Sequence, residues 1–192
     1  LCPEPYASMY KDYEMPKKPN FYDTLEGKPE YQKLWAKEHL HENKDDIHIR
    51  PRLFLGCNSF ADYEIGRITE AAKKLAPDAM IIFTSDHGEA LGAHSLTMKG
   101  ASVYEEITHI PLIIKGGAYC PSPEGAVHHS VASHIDITPT ILDSFGCDIP
   151  PALQGKSMRP VIEKPNCAFR DTAFIEFHRY EVDHDGFGGI QF

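Results

Sequence analysis

The pattern between Leu53 and His87 constrains the fold more than any other part of this chain. Seven apolar residues recur there at spacings of three and four, as on the buried face of a long helix from Leu53 to Leu75. They are Phe54, Cys57, Ala61, Ile65, Ile68, Ala72 and Leu75. Pro77 ends that helix, and the apolar run Met80–Thr84 that follows is typical of a buried strand. A helix that leads directly into a buried strand is half of a parallel α/β unit, so we expect an α/β fold.

Asp86 and His87 follow the predicted strand, and a loop that carries His94 and Lys99 comes next. In open α/β sheets, ligands bind beyond the carboxyl ends of the strands, so a site is expected at Asp86 and His87. A carboxylate beside an imidazole can hold a divalent metal, and a nearby lysine can hold an anion against that metal. This combination points to chemistry on a sulfate or phosphate ester.

The remaining segments carry weaker structural signals. The prolines among residues 1–30 predict an extended surface segment, because proline is excluded from helix interiors and central strands. Spacing and turn residues predict helices over Glu30–Leu40 and Val103–Ile107, strands over Pro111–Lys115 and Ala173–Phe177, and a helix capped by Thr138 that ends at Gly146. Val127–Ile135 fits either a strand or an irregular loop.

Composition excludes several classes of protein. The formal net charge of −9 and the absence of a Lys/Arg-rich stripe argue against a nucleic-acid-binding protein. No apolar run approaches the roughly 20 residues that a membrane-spanning helix needs. The five cysteines contain no C-x-x-C pair, so we expect free thiols and no structural zinc. His128, His129 and His134 lie near Asp136, and we interpret this group as structural.

Several segments, taken in order, resemble the sulfatase family of the alkaline-phosphatase superfamily. They are Phe60–Arg67, Thr84–Glu89 with Leu91-Gly92 and Lys99-Gly100, Tyr104–Ile114, Ile135–Leu142 with Gly146, and Gly155–Ser157. The likeness covers roughly residues 53 to 160. The fold it implies is a three-layer α/β/α sandwich of the alkaline-phosphatase-like type, here incomplete.

The resemblance also implies roles for individual residues. Asp86 and His87 match the positions of metal ligands, and Lys99 matches the lysine that binds the anionic oxygens of the ester and takes part in catalysis. His94 lies between them and is a candidate catalytic residue that would protonate the leaving alcohol. His184, in the glycine-rich tail, is a candidate substrate contact.

The family's nucleophile lies in a Cys/Ser-x-Pro-x-Arg motif, in which the Cys or Ser becomes formylglycine, and this sequence contains no such motif. The resemblance therefore implies that residues 1–192 are the C-terminal part of a single catalytic domain. Residues 1–50 would form a peripheral extended and helical segment, 53–160 the α/β core, and 161–192 a final strand and a glycine-rich loop. We expect the missing N-terminal part of the domain to supply the nucleophile, and the present chain alone to be inactive.

The predicted function is metal-dependent hydrolysis of a small-molecule or saccharide sulfate ester, as in arylsulfatases. Sulfatases generally use calcium, although the imidazole of His87 also suits Mn²⁺ or Zn²⁺. A phosphonate monoester or phosphodiester hydrolase of the same superfamily is one alternative. A non-catalytic relative is another. The cellular compartment is left open.

Overall fold

A computed structural model describes residues 2–17, 19–39, 51–99, 102–118, 120–178 and 189–191 of the chain. The helices are α1 (Tyr6–Met9), α2 (Glu30–His39), α3 (Pro51–Leu75), α4 (Glu105–Thr108), α5 (Ile137–Ser144) and α6 (Arg159–Glu163). The strands are β1 (Ile81–Thr84), β2 (Leu112–Lys115), β3 (Glu176–His178) and β4 (Gly189–Gln191). Short 3-10 turns occur at Pro19–Tyr22, Ala93–Ser95 and His134–Asp136.

The predicted order of a long helix followed by a strand over residues 53–84 is confirmed. Helix α3 runs to Leu75, and β1 begins six residues later, at Ile81. Lys73 and Lys74 occupy the last turn of α3, where positive charge interacts favourably with the helix dipole. The predicted helix at residues 30–40 and strand at residues 111–115 correspond to α2 and β2.

The strands that the structure describes pair in an antiparallel sense. Ile81 of β1 lies opposite Lys115 of β2, and Thr84 lies opposite Leu112. β3 and β4 form a second antiparallel pair. A parallel crossover needs a strand before α3, and the described residues on that side of the helix contain none. The parallel partner expected for β1 is therefore not found within the described ranges.

The chain divides into two compact units. The first comprises Leu1–Thr69, Ser85–Ile110 and Glu176–Phe192, and the second comprises Glu70–Thr84 and Pro111–Ile175. The core of the first unit is formed by Ala90, Leu96 and Ile107, against which Trp35 and Tyr104 pack. The division into 1–50, 53–160 and 161–192 within one domain stays a prediction.

The expectation of an extended surface segment over residues 1–30 is wrong in part. This segment contains α1 and a 3-10 turn, and Phe21 in that turn is only 5% exposed. Pro5 caps α1 and Pro19 begins the 3-10 turn. Proline is compatible with the first turn of a helix, because the N–H it lacks would have no partner there. A high density of proline therefore does not exclude short helices.

The start of α5 in the second unit also differs from the prediction. The helix begins at Ile137 rather than after Thr138, because Ser133 and Asp136 form a capping box around the preceding 3-10 turn. Asp136 is fully buried and accepts hydrogen bonds from the backbone N–H of Lys156 and from Arg170. These contacts give Asp136 a structural role.

Two smaller expectations concern the histidines and cysteines. His128 Nε2 lies 2.8 Å from the carbonyl oxygen of Cys167, which agrees with a structural role for this histidine. All five cysteines are free thiols, as expected. Among the described helices, none is long and apolar enough to cross a membrane.

Candidate active site

Asp86 is oriented by its own chain neighbours directly after β1. Its Oδ1 accepts the backbone N–H of His87 at 2.9 Å, and the hydroxyl of Ser85 donates to the carbonyl of His87 at 2.9 Å. The pKa of Asp86 is lowered, chiefly because its carboxylate accepts this backbone N–H. The side chain is 81% exposed. An ionised, accessible carboxylate of this kind can act as a metal ligand.

The tautomer of His87 follows from a single contact. Its Nδ1 lies 2.8 Å from the carbonyl oxygen of Gly88. A carbonyl only accepts hydrogen bonds, so Nδ1 carries the proton and Nε2 presents a lone pair. This arrangement is typical of histidines that bind metals through Nε2.

The two candidate ligands face each other. His87 Nε2 and Asp86 Oδ2 are 3.3 Å apart, and both atoms are acceptors in this tautomer. A carboxylate oxygen and an imidazole nitrogen this close together are donor atoms that one divalent metal could share, although the positive charge now beside Nε2 is the ammonium of Lys99, 3.0 Å away. The part of the chain that the structure describes contains no cluster of three or more His, Cys, Asp or Glu side chains suited to a metal. A metal held by this pair would need further ligands beyond these two.

Lys99 completes the group that the sequence predicts. It lies twelve positions after His87, yet its Nζ is 3.0 Å from His87 Nε2. The structure thus brings together Asp86, His87 and Lys99 on one exposed surface of the first unit. A lysine beside a carboxylate–imidazole pair can hold a bound anion close to a metal.

His94 is held by a different set of neighbours. Its ring stacks on that of Tyr104, with 3.7 Å between centroids and 9° between planes. Nδ1 lies 3.3 Å from Asp23 Oδ2, and Nε2 lies 3.2 Å from Asn20 Nδ2. The side chain is 19% exposed. Both ring nitrogens are therefore engaged by the protein, and the predicted role in catalysis stays a prediction.

His184 lies outside the described residues. The structure therefore gives no position for this candidate substrate contact.

Sequence reasoning missed the polar network around His94. Asn20 Nδ2 donates to Glu106 Oε1 at 2.8 Å, Lys28 Nζ donates to the hydroxyl of Tyr104 at 3.1 Å, and that hydroxyl donates to Gln32 Oε1 at 2.9 Å. These partners are more than 70 positions apart along the chain. No periodicity marks them, and interpreting residues 1–30 as an extended surface segment concealed them.

Residues 4–147 match the profile of the Sulfatase family. The chain belongs to the sulfatase family. It is 38% identical over 192 residues to an uncharacterised sulfatase of Escherichia coli. This alignment covers 98% of the present chain and 36% of the Escherichia coli protein. It is 31% identical over 138 residues to an N-acetylglucosamine-6-O-sulfatase of Bacteroides thetaiotaomicron, and that alignment covers 69% of the present chain and 24% of the relative.

A solved structure has a similar fold. The phosphonate monoester hydrolase of Silicibacter pomeroyi matches with a TM-score of 0.78 and 27% identity, over 98% of this chain and 41% of that one. The fold of this sulfatase-family chain is therefore alkaline-phosphatase-like and incomplete, as the sequence predicts. The chain spans well under half the length of these relatives. Family membership implies, in general terms, a metal ion and a formylglycine.

Proposed function

We propose that this chain forms part of the active site of a metal-dependent sulfuric ester hydrolase of the arylsulfatase type. The main supporting observation is the 3.0 Å contact between Lys99 Nζ and His87 Nε2, beside the Asp86 carboxylate. Because the chain belongs to the sulfatase family, we infer that this group acts on a sulfate ester. The activity belongs to the longer protein that also supplies the formylglycine nucleophile.

Asp86 and His87 would hold the metal in this proposal. The carboxylate favours Ca²⁺, which is our choice, and the imidazole leaves Mn²⁺ and Zn²⁺ as alternatives. A divalent ion bound here would supply Lewis-acid polarisation of the ester group. The carbonyl of Gly88 keeps the His87 ring in the tautomer that presents Nε2.

Lys99 would bind the anionic oxygens of the group that is transferred. The formal net charge of −9 opposes an anionic substrate, so a local cation is needed for binding. The ammonium also stabilises charge that develops on those oxygens in the transition state. We propose a small-molecule or saccharide sulfate ester as substrate, and the similarity to an N-acetylglucosamine-6-O-sulfatase supports the saccharide class.

Parallel assays of the full-length protein test the reaction class. With 4-nitrophenyl sulfate and a 4-nitrophenyl phosphonate monoester, we expect the higher kcat/KM for the sulfate. A higher kcat/KM for the phosphonate would instead favour phosphonate monoester hydrolysis, which is the second candidate because of the similarity to the enzyme of Silicibacter pomeroyi. We also expect a Cys/Ser-x-Pro-x-Arg motif upstream of Leu1 in the full-length sequence.

Calorimetric titration with Ca²⁺ and with Mn²⁺ tests the metal site separately. We expect Asp86→Asn and His87→Ala to weaken the affinity of the full-length protein for the metal more than about tenfold, because the first change removes the negative charge of one ligand and the second removes the other ligand. Asp62→Asn, on the exposed surface of α3, is the matched control and should leave the affinity unchanged. A wild-type protein that binds neither ion would contradict the proposal and favour a non-catalytic relative.

A further inference from the structure

The loop between His87 and Lys99 adopts an unusual backbone conformation. Leu91, His94, Ser95 and Met98 have φ angles of 48°, 54°, 55° and 62°, and Gly92 has a φ of 92°. Residues with a Cβ atom rarely adopt this left-handed region. A run of such residues persists only when the surrounding structure holds it in place.

Side chains of residues 20–35 and the neighbouring backbone hold this loop. Gln32 Nε2 donates to the carbonyl of His94 at 3.1 Å, and Trp35 Nε1 donates to the carbonyl of Thr97 at 3.1 Å. The hydroxyl of Ser95 donates to the carbonyl of Asp23 at 2.8 Å. Gln32 and Ser95 are each 1% exposed, so these hydrogen bonds are shielded from competing water.

The ring of His94 lies at the centre of these contacts. The amide nitrogen of Asn20 only donates, so Nε2 of His94 accepts and Nδ1 donates to Asp23. One face of the ring stacks on Tyr104, the residue directly before α4. His94 thus uses both ring nitrogens and a ring face to connect residues 20–23, the 91–98 loop and α4.

We propose that His94 is a positioning residue that locks the 91–98 loop and thereby places Lys99 beside His87. This inference rests on the proposed function for the part that Lys99 plays. His94 donates no proton to the substrate in this account, because its Nδ1 proton is held by Asp23 and its Nε2 is occupied by Asn20. The general-acid role suggested by the sequence is the competing explanation.

A series of aryl sulfates whose phenol leaving groups differ in pKa separates the two roles in the full-length protein. Loss of a positioning residue lowers kcat/KM by the same factor for every leaving group. Loss of a general acid slows the poorest leaving groups most. We expect His94→Ala to lower kcat/KM at least tenfold, without changing its dependence on leaving-group pKa.

Hydrogen exchange measures the loop independently of activity. The backbone N–H of Gly92 donates a hydrogen bond to the carbonyl of Leu96 at 2.8 Å, and the N–H of Leu96 donates to the carbonyl of Ala93 at 2.9 Å. We expect both amides to lose protection in His94→Ala. His94→Asn should recover much of the protection and the rate, because its amide can still donate to Asp23. The exposed His109, which pairs with Glu105 on α4, supplies the control: His109→Ala should change neither readout.

The outcomes separate the inference from the proposed function. Unchanged amide protection, or a rate loss confined to poor leaving groups, would overturn the positioning role of His94. If His94→Ala fails to fold, Asn20→Ala removes the hydrogen-bond donor to Nε2 instead. The leaving-group series and the amide protection can then be measured on that variant. A wild-type protein that hydrolyses no aryl sulfate would refute the proposed function, and amide protection would still decide whether His94 holds the loop.

Discussion

At the scale of single residues, the first unit contains two kinds of polar contact. Asp86 and His87 are oriented by the next one or two groups along the chain, through the N–H of His87 and the carbonyl of Gly88. Asp23 and His94 are oriented by a partner 71 positions away. The first kind of contact orients the two candidate ligands, and the second is the one that we propose holds the loop that carries Lys99.

Asp23 gives a prediction about pH. Its pKa lies below the ordinary 3.8, chiefly because the carboxylate accepts the backbone N–H of Leu25, with further contributions from His94 and Lys28. A lowered folded-state pKa stabilises the fold above the ordinary pKa, and that contribution is lost as the pH falls through the folded-state pKa. The free energy of unfolding of the wild type should therefore fall towards that of Asp23→Asn as the pH drops below about 4.

Urea denaturation at several pH values measures this difference. Asp62→Asn on α3 is the control, and its free energy of unfolding should differ little from that of the wild type at every pH. A difference between wild type and Asp23→Asn that persists at the lowest pH would mean that Asp23 stabilises the fold through something other than its charge.

Three residues that the sequence identified, Asp86, His87 and Lys99, have contacts that are local or lie within one loop. Asp86 and His87 follow a recognisable strand, and Lys99 comes within the same loop. The tautomer of His87 could not be predicted, since it depends on which backbone carbonyl the ring meets. The neighbours of His94 could not be predicted either, because Asn20 and Asp23 approach it only after the chain has folded.

At the scale of elements, Gly88 is the point where the segment after β1 meets α4. The N–H of Gly88 donates to the carbonyl of Ile107 at 2.8 Å. A Cβ atom added at Gly88 would lie 1.9 Å from the carbonyl oxygen of Glu106. The close approach of these two backbone segments therefore requires glycine beside the candidate ligands.

Two glycine-to-alanine changes should have opposite effects on stability. Gly88→Ala should lower the free energy of unfolding by about 1–3 kcal/mol, because backbone must move to admit the methyl group. Gly66→Ala, at an exposed position within α3 where a Cβ meets nothing within 4 Å, should raise it by about 0.5–1 kcal/mol. Chemical denaturation of both variants compares the two effects, and a stabilised Gly88→Ala would contradict the close contact.

The elements that were predicted correctly have strong periodic signals. The apolar stripe of α3 and the short apolar runs of β1 and β2 identify these elements without tertiary information. The pairing of β1 with β2 depends on tertiary structure, and it differs from the parallel neighbour expected. The short helices of the first 30 residues were missed, because proline was taken as a barrier where it begins a turn.

At the scale of the whole molecule, the chain spans only part of the length of its relatives. The chain covers 36% of its relative in Escherichia coli, and the described residues supply two candidate metal ligands and one cation. Under the proposed function, residues of the full-length protein outside this chain would complete the metal site and supply the nucleophile. Measurements of activity therefore require the full-length protein.

The most direct test compares kcat/KM for an aryl sulfate between wild type and Lys99→Ala in the full-length enzyme. We expect a fall of about 10²–10³-fold, because loss of one preorganised cation removes about 3–4 kcal/mol of transition-state stabilisation. Lys33→Ala, which breaks an exposed pair with Glu30 on α2, is the matched control and should retain the wild-type rate. A near-normal kcat/KM in Lys99→Ala would contradict the assignment of this chain's site to sulfate ester hydrolysis.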